Sequence, residues 1–173
     1  MRTILVTFVF LVAQLPAPAL AVEVKSADSR VSLARFELKS LAGRRVRDKD
    51  LAGKVAVISF WATWCAPCKQ ELEALDALLK KRQDGELAVL AIATDGPETL
   101  SAVRSTVKRK RWSFLAAADP EGSVTAALNP RGSVPYTLFV DREGRIAYVH
   151  AGYRSGDEAK YAEIIAALVA EPH

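Results

Sequence analysis

The chain has 173 residues, half of them hydrophobic, with 24 Lys+Arg against 20 Asp+Glu and a net charge of +4. That length suits one domain behind a leader and supplies enough apolar material for a packed core. So even a charge balance argues against a nucleic-acid binder, and two cysteines are too few for a scaffold stapled by several disulfides.

The N-terminus opens on Met1-Arg2, runs through an apolar stretch over residues 4–15, and reaches Pro16, Pro18 and Ala19-Leu20-Ala21. One positive charge, a short apolar segment and an A-x-A site predict a secretory signal peptide over 1–21, cut after Ala21, with the mature domain at 22–173. The competing reading is an uncleaved anchor, but a membrane span needs about 20 apolar residues. Export places the protein in a periplasmic, disulfide-permissive setting.

Residues 22–32 read as an irregular lead-in. Residues 36–38 and 45–47 flank Leu41-Ala42-Gly43-Arg44, a short hairpin with Gly43 in its turn. After a loop ending at Gly53, residues 55–61 form the first core strand. Cys68, Leu72, Leu75 and Leu79 then recur at helical spacing, and Lys80, Lys81 and Arg82 suit the helix's negative end. Residues 87–93 make a second continuous apolar strand. Gly96-Pro97-Glu98 opens a helix that runs to about Lys110. A short strand is expected at 114–116, and Asp119-Pro120-Glu121 reads as a helix start leading to Val124 and Leu128. Residues 136–140 and 146–149 flank a hairpin turn at 141–144, and 157–170 close the chain as a helix. Continuous apolar strands alternating with helices indicate an α/β domain, a central mixed sheet covered on both faces.

Cys65 and Cys68 are the only cysteines, and they lie in Phe60-Trp61-Ala62-Thr63-Trp64-Cys65-Ala66-Pro67-Cys68-Lys69. A strand delivers them to the start of a helix, where unpaired N–H groups and the helix dipole favour an anion. Thiolate is the nucleophilic form of cysteine, so this placement raises reactivity. Two cysteines three apart on one turn can also close on each other. So small a ring adds little loop entropy, which disfavours a purely structural role. The residues point to thiol–disulfide redox chemistry. The basic run Lys108-Arg109-Lys110-Arg111 is read as a solvated helix end, and His150, with no second His near it, as structural or exposed.

The cysteine segment closely resembles the active site of the thioredoxin superfamily. More narrowly, residues 33–170 resemble the TlpA/ResA/DsbE group of exported bacterial thiol–disulfide oxidoreductases. The Gly43 hairpin and Leu51-Ala52-Gly53-Lys54 are similar to that group's N-terminal addition and lead-in. The stretch between Cys68 and Pro135 has room for its strand–helix insertion, and residues 134–146 match its cis-proline strand and hairpin. The resemblance implies a thioredoxin-like fold and a redox-active Cys65–Cys68 disulfide. It further implies a cis-Pro135 facing that disulfide, with Val134 presenting backbone to a client. Trp64, Ala66 and Pro67 complete the implied client surface, although packing around the thiols is the expected role of Trp61 and Trp64.

Two departures matter. Where thioredoxins carry a buried acid, this chain has Ser59, which cannot serve as a carboxylate base. The group's alternative acid, in Cys-x-x-Cys-x-x-Glu, maps onto Glu71, one helical turn from Cys68; its bland reading is a solvated charge like Glu73. The group's helix proline is replaced by Leu72.

Exchange chemistry needs no cofactor or metal. The implied partners are a disulfide-containing client protein, with apocytochrome c the group's frequent client, and a membrane thiol carrier as electron donor. No nucleic acid is expected, and the chain is expected to act as a monomer. A copper or haem chaperone using the same cysteines is the alternative, weakened by the short spacing and by His150 as sole candidate partner. A peroxidase of the same fold ranks lower, since it needs a lone cysteine in a different loop. Ala66-Pro67 lacks the histidine of strong oxidants, which favours a reductase.

Overall fold

Val55–Trp61 forms the central strand β4, and every one of its residues is buried. Side chains alternate across a strand, so its two faces feed two cores. Val55, Val57 and Trp61 enter one apolar cluster, while Ala56, Ile58 and Phe60 enter the other. The computed structural model describes residues 23–82 and 84–172. The expected leader at 1–21 lies outside the described residues.

In chain order the remaining strands are β1 (Val31–Ser32), β2 (Glu37–Lys39), β3 (Arg45–Arg47), β5 (Leu87–Ala93), β6 (Leu115–Ala118), β7 (Tyr136–Val140) and β8 (Arg145–Ala151). The helices are α1 (Ala66–Lys81), α2 (Leu100–Lys110), α3 (Ser123–Leu128) and α4 (Asp157–Val169). Six strands form one sheet in the order β1-β8-β7-β4-β5-β6, and β2–β3 pair separately as the Gly43 hairpin. β4 runs parallel to β5 and antiparallel to β7, so the sheet is mixed. Helices α1, α2 and α4 cover one face through Leu72, Leu75, Val103, Ile164 and Ile165. On the other face, α3 and the hairpin supply Val124, Leu128, Phe36, Leu38 and Val46. The segment β6–α3 between β5 and β7 is the expected insertion, and it extends the sheet beyond β5.

Three expectations are corrected. The lead-in at 22–32 is not irregular throughout: a 3₁₀ turn at Ala27–Ser29 precedes β1, which pairs with β8. The strand expected from Phe114 begins at Leu115 and extends to Ala118. The third helix does not start at Asp119. Gly122 precedes it with φ +71°, and α3 begins at Ser123. Asp119 still caps it, from a distance, by accepting the Thr125 N–H at 2.6 Å and the Thr125 hydroxyl at 2.7 Å.

Charged side chains tie the segment before β1 and the end of α4 to the β7–β8 turn. Buried Asp141 accepts from Arg30 at 3.0 Å and from Arg145 at 2.8 Å. Arg142 donates to the Leu168 and Val169 carbonyls at the end of α4, and to Glu86. Unpaired carbonyls at a helix end need such donors, so Arg142 fixes where α4 lies on the sheet.

Candidate active site

Cys65 is the N-cap of α1, in extended conformation, and its Sγ accepts the Cys68 N–H at 3.2 Å. Pro67 lies in the first turn, where its missing N–H removes a donor that no carbonyl would satisfy. A disulfide joins Cys65 to Cys68, with an S–S distance of 2.05 Å. Cys65 keeps 5% exposure and Cys68 none, so an incoming group meets Cys65 first.

The loop before Cys65 is held at Thr63. Asp95, buried just after β5, accepts the Thr63 N–H at 3.0 Å and the Thr63 hydroxyl, while Lys69 Nζ donates to the Thr63 carbonyl at 3.1 Å. The following residue, Trp64, is 75% exposed. This corrects the expectation that both tryptophans pack around the thiols. Trp61 does pack, fully buried and edge-on to Trp112 at 5.6 Å between ring centroids. Trp64 cannot, because Thr63 is pinned and the next side chain is turned outward.

Glu71 is fully buried. Its solvated reading is therefore wrong, and its comparison with Glu73 fails: Glu73 is exposed and pairs with Lys110 of α2. Glu71 Oε1 accepts hydroxyls from Tyr161 at 2.6 Å and Thr137 at 2.7 Å, and Oε2 accepts Ser59 at 2.7 Å. Ser59 and Thr137 are direct partners across β4 and β7 and share the α1-facing side, while Tyr161 arrives from α4. Burial pushes the Glu71 carboxyl above its ordinary value, against the three hydroxyls, which favour the ionised form. Burial and the neighbouring Glu71 charge likewise push the Tyr161 phenol up.

The Val134–Pro135 peptide bond is cis. Pro135, Val134 and Pro67 line an open groove of about 490 Å³ with His150, Tyr153, Arg154 and Asp157. Ala66 and Pro67 are exposed on the helix start. His150 is half-buried and its Nε2 lies 3.2 Å from Asp157, so its structural reading holds, at the groove wall. Burial opposes ionisation of Asp157, but the Arg154 N–H and His150 outweigh it and hold the carboxyl below its ordinary range.

Sequence reasoning did not single out Asp95, Thr137 or Tyr161, and it took Ser59 only as a missing acid. A signal was present: Ser59 and Thr137 each interrupt an otherwise apolar buried strand. A hydroxyl inside such a run has to find a buried partner.

Fold and site together define the class: a thioredoxin-like thiol–disulfide oxidoreductase. The chain belongs to the AhpC/TSA family, matched over residues 31–149, and within it to the TlpA/ResA/DsbE-like group. It is 36% identical over 118 residues to the thioredoxin-like protein YneN of Bacillus subtilis, covering 68% of each chain. It is 33% identical over 111 residues to thiol-disulfide oxidoreductase ResA of Bacillus cereus, covering 64% of this chain and 62% of ResA, just under two thirds of that relative. Among solved structures it resembles a Chlorobium tepidum protein provisionally called thiol:disulfide interchange protein DsbE. That match has a TM-score of 0.70 and 27% identity, covering 83% of this chain and 99% of the other.

Proposed function

We propose that this is an exported protein-disulfide reductase in which Cys65 attacks and Cys68 resolves. In the reduced state the Cys65 thiolate displaces one sulfur of a client disulfide and forms a mixed disulfide. Cys68 then loses its proton, attacks Cys65 Sγ, and releases the client as a dithiol; the pair is left oxidised. The single observation carrying this division is the cap: Cys65 Sγ accepts the Cys68 N–H at the positive end of α1, while Cys68 is sealed from solvent. Glu71, one turn along and buried, is the proton acceptor for Cys68, directly or through one water. The groove beside Pro135 receives the client chain, with Val134 offering backbone and Trp64, Ala66 and Pro67 forming the rim.

Reduction rather than oxidation is supported by Ala66-Pro67, which places no histidine between the cysteines. Export rests on the A-x-A leader at 1–21. Among the described residues no helix is long and apolar enough to cross a membrane. By analogy with the group, a membrane thiol carrier resets the pair and apocytochrome c is a client. The reduction potential of the Cys65–Cys68 couple tests the direction. A value near thioredoxin's, about −270 mV, is expected, and one near DsbA's, about −120 mV, overturns the reductase reading.

A further inference from the structure

An ionised carboxylate offers four lone-pair positions. In Glu71, Tyr161 and Thr137 take two on Oε1 and Ser59 takes one on Oε2. Each hydroxyl has one hydrogen, and here all three hydrogens are committed to the same group. The donors converge from β4, β7 and α4, and among the described residues no Lys or Arg pairs with Glu71. A buried position that needed only packing would be better filled by an apolar side chain, since a charge without a counter-ion is costly inside a protein.

We propose that Tyr161, Thr137 and Ser59 act as positioning residues that set how tightly Glu71 holds its proton. This deepens the reading of Glu71 as proton acceptor for Cys68, and rests on it for the catalytic consequence alone. Tyr161 makes the shortest of the three bonds, and like Ser59 and Thr137 it is completely buried. Because it belongs to α4, the docking of that helix and the acidity of Glu71 are set together. The titratable groups that face Glu71 or Tyr161 are His150 on β8, Tyr153 in the next loop and Asp157 at the start of α4, while Cys68 on Glu71's own helix is held in the disulfide. His150 and Asp157 are paired with each other.

The test is the carboxyl titration of Glu71, followed by carbon NMR on the oxidised full chain with labelled glutamate. Tyr161→Phe keeps the ring and removes one donor to the ionised form, so the midpoint should rise by about one to two pH units. Thr137→Val and Ser59→Ala should shift it the same way, and Thr137→Ser, which keeps the hydroxyl, should restore it. Tyr148→Phe removes a hydroxyl that Glu71 does not accept and should leave the midpoint in place. Repeating Tyr161→Phe in a His150→Gln background should give the same shift, separating it from any change at the imidazole. An unmoved or lowered midpoint in Tyr161→Phe, with near-UV circular dichroism unchanged, overturns the proposal. A shifted midpoint without a shift in the pH profile of mixed-disulfide resolution keeps the hydroxyl cage and removes Glu71's catalytic role.

Discussion

At the residue scale, the site gives its two sulfurs different surroundings. Cys65 is a cap in contact with the surface, and Cys68 is a buried first-turn residue of α1. In the proposed mechanism a proton is removed when Cys68 attacks, which assigns the buried Glu71 to the second half-reaction. Glu71→Gln should slow resolution of a Cys65-linked mixed disulfide by about 10² while leaving its formation nearly unchanged, the loss typical of one acid–base group. Stopped-flow measurement of the two phases checks this. Glu73→Gln, on the exposed face and paired with Lys110, should alter neither phase. Cys65, Cys68 and Pro135 are legible from the motif and its resemblance. The Glu71 cage is not, because it depends on Ser59 facing Thr137, a pairing between residues far apart in sequence.

At the element scale, the loop over residues 62–65 and helix α4 are each held by a few polar contacts. Asp95→Ala leaves the Thr63 N–H and hydroxyl without their acceptor and should cost about 1–3 kcal/mol. Denaturant unfolding of the oxidised protein measures that loss. Strand and helix positions follow from apolar runs and periodicity, which explains why β4, β5 and β7 appear where the pattern puts them. Asp119-Pro120 misleads because the same Asp that begins a helix in sequence terms caps α3 across a turn, a geometry that Gly122 permits with its positive φ. Val31–Ser32 carries no strand signal of its own; its pairing comes from the edge of β8 that it meets.

At the scale of the whole molecule, the buried acids pull its pH dependence in opposite directions. Burial raises Glu71 above its ordinary value of 4.5, so the folded state keeps a proton the unfolded chain gives up. The stability this contributes is complete below pH 4.5 and is lost as pH rises through the folded-state value. Asp141 is the reverse case. Burial opposes its ionisation, but Arg145 and Arg30 hold its carboxyl below 3.8, so its contribution is lost as pH falls. Thermal unfolding of the oxidised protein should therefore peak in mild acid, and Glu71→Gln should remove the decline on the alkaline side. The central claim of the proposed function is that Cys65 is the attacking thiol of the Cys65–Cys68 pair. Alkylation of the fully reduced protein with limiting reagent at neutral pH, read by peptide mass spectrometry, tests it most directly. Cys65 should be labelled first while Cys68 remains protected; labelling of Cys68 ahead of Cys65, or of both at equal rates, overturns the assignment.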